Sequence, residues 1–288
     1  KAPLGVVSDR YNIVQPAQVL EFFRDLVESA GFVLETAGCL FDGRRFWALA
    51  RVTQDIKMLD VRDTVGGYIL LSTSADGTQA TTARRTMIRV VCNNTLTAAF
   101  REGKSIFSLT HHAEFNPDDA RKQLGIDKPE EVRSGFEDAM DQLRALAAKR
   151  VTGPDMADAT LRLFGHDPST MTPKEIDKAA KAKPVAAIGD MAVTGRGLIG
   201  ADLRGGHGTA WGWLNAVTQY VDHQAKTKTQ DLRLDSAWFG RGEQMKRKAL
   251  LIAQQMADGS IDFVEQQATD AGSSLLLDDI IAATPAIA

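Results

Sequence analysis

Two cysteines in 288 residues, Cys39 and Cys92, are too few and too far apart for a disulfide framework or a zinc site. Both are expected as small buried hydrophobes. No run approaches the roughly 18 consecutive apolar residues that a membrane helix needs. Residues 1–10 lack the basic start, apolar stretch and small-residue cleavage site of a signal peptide. A cytoplasmic protein without a membrane partner is expected, and because Lys1 is not an initiator methionine, a further N-terminal segment is expected before it. Positive charge in excess is also lacking: the net charge of −3 excludes coating nucleic acid through overall charge and leaves room only for a local basic groove. There is no Gly-x-Ser-x-Gly elbow. Gly195-Arg196-Gly197 and Gly205-Gly206-His207-Gly208 match neither a P-loop nor a dinucleotide fingerprint. The chain is therefore read as a non-enzyme with no cofactor and no metal.

What is present, 44% hydrophobic and 25% charged residues, is ordinary globular composition, and its patterning predicts an α+β fold. Residues 1–115 read as an antiparallel β-meander with packed helices, a sheet-rich core that would bind DNA. Residues 116–288 read as a mainly helical region packed on or extending that core. After two short extended pieces in residues 4–14, Pro16 opens a helix whose apolar positions include Val19, Phe23 and Val27, and Gly31 stops it. Alternation then predicts strands over residues 32–40, 46–52, 68–72 and 78–82, with Asp42-Gly43 and Asp76-Gly77 as hairpin turns. Met87, Val90, Val91, Leu96 and Phe100 fit a helix packed on the sheet, and residues 105–110 a returning strand. Beyond Pro117, helices are expected over residues 118–124, 130–150, 155–164, 209–223 and 244–256, with a helix start at Thr172-Pro173, a loop over residues 195–208 and a short helix or frayed end beyond Gly272.

Three groups of side chains suggest chemistry. His111, His112 and Glu114 contain a metal-ligand set, although adjacent strand residues face opposite ways and rarely share an ion. His207 and His223 flank the helix of Trp211 and Trp213, where packing or capping is the plainer role. The arginines are more informative: Arg44, Arg45 and Arg51 on the first hairpin, and Arg84, Arg85 and Arg89 where the second hairpin meets its expected helix. A guanidinium fork matches phosphate oxygens and a helix start attracts anions, so these six are the candidate DNA-binding residues. Asp42, Asp55, Asp60, Asp63 and Asp76 lie in the same region and would neutralise them in the alternative reading. Phe46, Trp47 and Tyr68 would supply stacking, although at alternating strand positions at least some of them belong to the core. Lys246-Arg247-Lys248 reads as a solvated helical face.

Four stretches carry a resemblance: residues 4–11 (LGVVSDRY), Tyr68-Ile69-Leu70-Leu71 with Asp76-Gly77, residues 89–96 (RVVCNNTL) and residues 214–223 (LNAVTQYVDH). From Leu4 to about Leu250 the chain resembles the phage/plasmid-like protein family, a domain of unknown function carried by phages, prophages and plasmids. More remotely, the order of helix, hairpin strands, Asp-Gly turn and Arg-bearing segment resembles the core of single-strand annealing proteins of the Rad-fifty-two type. That second resemblance implies single-stranded DNA held by its backbone along the six arginines, and a homo-oligomeric ring or filament joined through sheet edges. It also implies a nuclease or single-strand binding protein as a partner in homologous recombination of the mobile element. Such annealing needs no catalytic residue, since phosphate contacts leave base edges free to pair. The alternative is a protein-interaction or assembly factor, such as a defence antagonist, that uses the region from Trp211 to Trp238 as its interface and binds no DNA.

Overall fold

The computed structural model describes residues 4–7, 15–97, 106–109, 122 and 128–261, and among them the fold is α+β. Helix α1 (Pro16–Ala30) buries Phe23, Val27 and Ala30 at helical spacing and ends at Gly31. Seven antiparallel strands follow: β1 (Val33–Leu40), β2 (Arg45–Arg51), β3 (Ile56–Lys57), β4 (Thr64–Ser74), β5 (Thr81–Arg89), β6 (Asn94–Thr97) and β7 (Ile106–Leu109). The main path runs β1-β2-β4-β5-β6, while β3 pairs with β4 and β7 with β5.

The first expected turn is a four-residue loop rather than a two-residue one. Phe41 and Asp42 both take φ of 57° ahead of Gly43, and the turn closes through Arg44 N–H donating to the Phe41 carbonyl. The helix expected from Met87 to Phe100 is replaced through residue 97 by the end of β5, a turn and β6. The β-branched and apolar run Met87-Ile88 continues the alternation of β5, and Asn93, at φ 53°, makes the reversal. Consequently Arg84, Arg85 and Arg89 sit along a strand, not at a helix start. The expected strand over residues 105–110 appears as β7; the expected helix over 118–124 apart from residue 122, His111, His112, Glu114, residues 8–14 and the tail beyond 261 lie outside the described residues.

The second half is helical. Its elements are α2 (Pro129–Ala148), α3 (Gly153–Leu163), α4 (Pro173–Ala180), α5 (Lys183–Thr194), α6 (Ala210–Gln219), α7 (Gln230–Phe239) and α8 (Arg241–Asp258). The Thr172-Pro173 start is a full capping box, with Thr172 accepting from Glu175 N–H and the Glu175 carboxylate accepting from Thr172 N–H. The loop over residues 195–208 is present, and α6 runs into one π-helical turn, Tyr220–Gln224. Helix α7 carries no strong apolar stripe, and its only fully buried residue is Ala237, which is why the sequence pattern did not reveal it.

Strand pairing fixes two faces. Ala48 pairs with Leu71 and Leu71 with Ala83, whereas Leu49 pairs with Leu70 and Leu70 with Arg84, so these two rows project to opposite sides. The inner face, with Ala48, Ala50, Ile69, Leu71, Ala83 and Met87, joins one core with Phe136 and Met140 of α2, Trp213 and Leu214 of α6 and Ala253 of α8. That core runs through both halves of the chain. Helix α2 approaches so closely that a Cβ at Gly67 would lie 2.7 Å from the Phe136 ring. The outer face carries a small separate cluster, Leu49, Tyr68 and Leu70, closed by Trp47, Ile88, Trp238 and Phe239.

Candidate phosphate-binding cleft

The six arginines do not line one channel. Arg45, Arg51 and Arg84 project from the outer face, while Arg85 and Arg89 belong to the inner row with Ile69 and Val65. Arg89 is 2% exposed and chelates Asp63 through two bonds of 2.8 and 2.7 Å, donates to the Ile199 carbonyl and lies over the Trp211 ring. It is an internal strut tying β5 to the loop before β4 and to the 195–208 loop. Arg51 donates to Glu35 on β1 and to Asp55, and covers the Tyr68 ring. Its hydrogen bond holds the Glu35 carboxyl below the ordinary range, and burial pushes the Tyr68 hydroxyl up to about 12. Arg45 pairs with Asp235 of α7, and Arg84 lies over Phe239. Arg44 stands exposed at the turn, donating to the Phe41 carbonyl. The carboxylates of the alternative reading, Asp55 and Asp63, account for Arg51 and Arg89; Asp235 and Glu35 were not foreseen.

Other expectations also change. Trp211 and Trp213 are core, 3% and 0% exposed, so they cannot anchor a protein interface. Trp213 Nε1 donates to Thr160 inside the bundle. Lys246 is buried, not part of a solvated face, because helical periodicity turns it inward while Arg247 and Lys248 stay out. Cys92 is buried as expected, but Cys39 is exposed on the edge strand β1. His207 caps as expected, its Nε2 bonding the Val193 carbonyl at the end of α5. Among the described residues no three His, Cys, Asp or Glu side chains group as a metal site.

Two stretches singled out in the sequence, 89–96 and 214–223, meet in space. The Asn94 amide donates to Thr218 Oγ1 and the Asn215 carbonyl, which leaves its oxygen facing His223 Nε2 at 3.1 Å. The same ring nitrogen is 3.0 Å from the Cys92 carbonyl. With two acceptors around it, Nε2 must carry the proton, and Nδ1 is the nitrogen left for other partners. Asp222, on the π-helical turn, accepts from Thr95 N–H at 2.7 Å and from Lys246 Nζ at 2.7 Å, and Lys246 also donates to Thr95 Oγ1. Burial holds the Lys246 ammonium below its ordinary value, and Asp222 opposes that. A π turn places the two consecutive side chains Asp222 and His223 on the same neighbouring strand end.

Beside this network lies a cleft of about 500 Å³ between the β5–β6 turn and the start of α7. Lys228, Arg233 and His223 line it, together with Thr227, Thr229 and Trp238; Arg233 also donates to the His223 carbonyl at 3.2 Å, and Thr227 Oγ1 to the Thr229 carbonyl. Its lining carboxylate, Asp222, is saturated by the bonds to Thr95 and Lys246, so the balance of the walls is cationic. Thr229 caps α7, accepting from Leu232 N–H, and the helix start borders the same space. Cations, hydroxyls, a helix start and one aromatic wall are the groups that hold a phosphate with an attached ring. This site leaves little trace along the chain: Lys228, Arg233 and Trp238 are separated from residues 93–95 by more than a hundred positions. Only the 89–96 and 214–223 stretches pointed toward it.

No helix among the described residues is long and apolar enough to cross a membrane. No curated protein and no solved structure matches the chain. A family match covers residues 3–238, the sheet and the helices through most of α7, and by that match the chain belongs to the family described as a domain of unknown function, DUF932.

Proposed function

We propose that this protein binds single-stranded DNA, taking the strand's phosphates at the cleft where β6, the π-helical turn and α7 meet. The observation that carries this reading is the cleft itself: Lys228 and Arg233 beside a capped helix start, with its one lining carboxylate neutralised from inside by Lys246. Phosphate contacts of this kind are independent of base sequence and leave the bases available for pairing. That is what an annealing protein of a phage or plasmid requires. The wider reading, a ring or filament acting with a nuclease or single-strand binding protein in recombination in the cytoplasm, rests on the resemblance to annealing proteins and extends the proposal.

Fluorescence anisotropy with a labelled oligonucleotide, titrated from low to moderate salt, tests it. Lys228→Ala with Arg233→Ala is expected to weaken binding at least tenfold at low salt. If both side chains meet phosphate, the slope of log affinity against log salt falls by about 1.4, at about 0.7 per contact for a single strand. Wild-type protein that binds no oligonucleotide at low salt ends the proposal. Particle size by negative stain or light scattering tests the assembly: a monomer in the presence of DNA removes the ring and filament.

A further inference from the structure

The α7–α8 corner presents a row of acids to the outer face of the sheet. Asp231 Oδ2 accepts from the Phe41 backbone N–H at 2.7 Å, Asp235 pairs with Arg45, and Glu243 attracts the Arg84 guanidinium. Asp231 and Asp235 are four residues apart and therefore share one side of α7. Between them the aromatic rings close in: Trp238 packs edge-on against Trp47 at 4.7 Å, and Phe239 lies beneath the guanidinium groups of Arg45 and Arg84.

This junction is poorly satisfied for a buried one. Arg45 Nε and Arg84 Nε are buried without a hydrogen-bond partner, and Glu243 Oε1 has only the Arg247 Nε of its own helix at 3.7 Å; each buried polar atom without a hydrogen bond costs stability. Burial also holds both guanidinium groups below their ordinary values. The apolar contribution is small, since Leu49, Tyr68 and Leu70 are the buried members of the cluster and α7 buries only Ala237 fully. An element with few buried contacts and unsatisfied polar atoms lies at the low end of local stability.

We infer that the α7–α8 corner is an acidic stand-in for a nucleic-acid strand, seated on a second strand-binding surface that Arg45, Arg84 and Trp47 form on the outer sheet face. The ligand class rests on the reading of the cleft; the surface itself does not share the cleft's cationic residues. Carboxylates occupy the positions where phosphates would meet the two guanidinium groups, and the Trp238 and Phe239 rings occupy the place of bases against Trp47 and the arginines. Trp238 also lines the cleft, so a strand entering there meets the edge of the cover first. Lifting the corner exchanges the Asp235 and Glu243 carboxylates for phosphates and exposes the arginines at the same time.

The test compares Asp235→Asn with Glu243→Gln, near-isosteric changes that remove the corner's charge, with a control pair of equal charge change on α4, Glu175→Gln with Asp177→Asn. The corner pair is expected to tighten oligonucleotide binding at least tenfold over the control, and adding Arg45→Ala and Arg84→Ala is expected to abolish that gain. In the wild-type protein, amide exchange across residues 231–239 is expected to rise when oligonucleotide is added. A corner pair that binds no tighter than the control, a gain that survives loss of both arginines, or exchange that falls or stays constant overturns the inference. So does a corner pair that dimerises without binding oligonucleotide. Its failure is separable from failure of the cleft: Lys228→Ala with Arg233→Ala reports on the cleft alone, and an arginine-dependent gain in that background keeps this surface whatever the cleft does.

Discussion

On the inner face of the sheet, Ile69, Leu71, Ala83 and Met87 enter one core with α2, α6 and α8, and the buried cation Arg89 has both oxygens of Asp63. The outer face, one residue away along the same strands, reverses these proportions. Leu40, Leu49, Tyr68 and Leu70 are its buried apolar members, and Arg45, Arg51 and Arg84 are interleaved with them. Strands of identical hydrogen bonding thus support two kinds of surface. One is held by burial of apolar area, and the other by paired charges and aromatic contacts that a competing ligand can replace. The difference teaches where to look for function: an arginine buried with a full set of partners is structure, whereas one buried with an unsatisfied Nε is held in a conformation that another partner can improve.

The largest expected effect separates the buried strut from the rest. Arg89→Met leaves Asp63 buried without its partner and is expected to cost about 3–5 kcal/mol in urea unfolding, whereas Arg89→Met with Asp63→Leu recovers most of it. If the double variant is no better than the single one, Arg89 contributes through packing rather than charge.

Next comes the direct comparison of neighbouring strand positions. Leu71→Ala, on the inner face, is expected to cost about 3–4 kcal/mol, within the range for filled core sites, and Leu70→Ala on the outer face about half as much. Equal losses would make the outer cluster a second core and would weaken the case for a displaceable cover.

The Lys246 network gives a pH signature. Because burial lowers its value in the folded state, the folded protein binds fewer protons than the unfolded chain between that value and the ordinary 10.5. Stability is therefore expected to rise with pH through that window, relative to a Lys246→Met variant that lacks the group. Urea midpoints at pH 8 and pH 10 check the sign; a difference that shrinks as pH rises refutes it.

The smallest effect belongs to the exposed side of the outer face. Arg51→Ala is expected to cost no more than about 1 kcal/mol near neutral pH, as exposed ion pairs do. The Glu35 carboxyl is lowered in the folded state by Arg51, so its contribution is present above the ordinary 4.5 and disappears as pH falls through the lower folded value. Wild type and Arg51→Ala should accordingly converge in stability as pH falls through that lowered value.

Much of the fold was readable along the chain. Pro16 and Gly31 bounded α1, Asp42-Gly43 and Asp76-Gly77 marked the reversals, and Thr172-Pro173 predicted a capped start. These signals are local, since each residue type is favoured by the backbone geometry of its own position. Residues 87–97 misled because apolar residues at 87, 90, 91 and 96 satisfy a helical spacing while the pairing partners that make them strand, β4 and Val65 above all, lie elsewhere in the chain. Helix α7 left no periodic trace because one buried residue is enough to seat it.

Of the candidate site, the sequence supplied the chemistry of the residues and little of their grouping. By itself it determined an α+β chain with arginine-rich strands, a helical second half and no familiar catalytic motif, because composition and local periodicity are properties of short segments. Which arginines face which side, that Asp63 claims Arg89 and Asp235 claims Arg45, and that Lys228 and Arg233 meet the 93–95 turn were decided only by the tertiary structure. A charge has no fixed role until packing determines which opposite charge lies within a few ångströms and how much water remains between them.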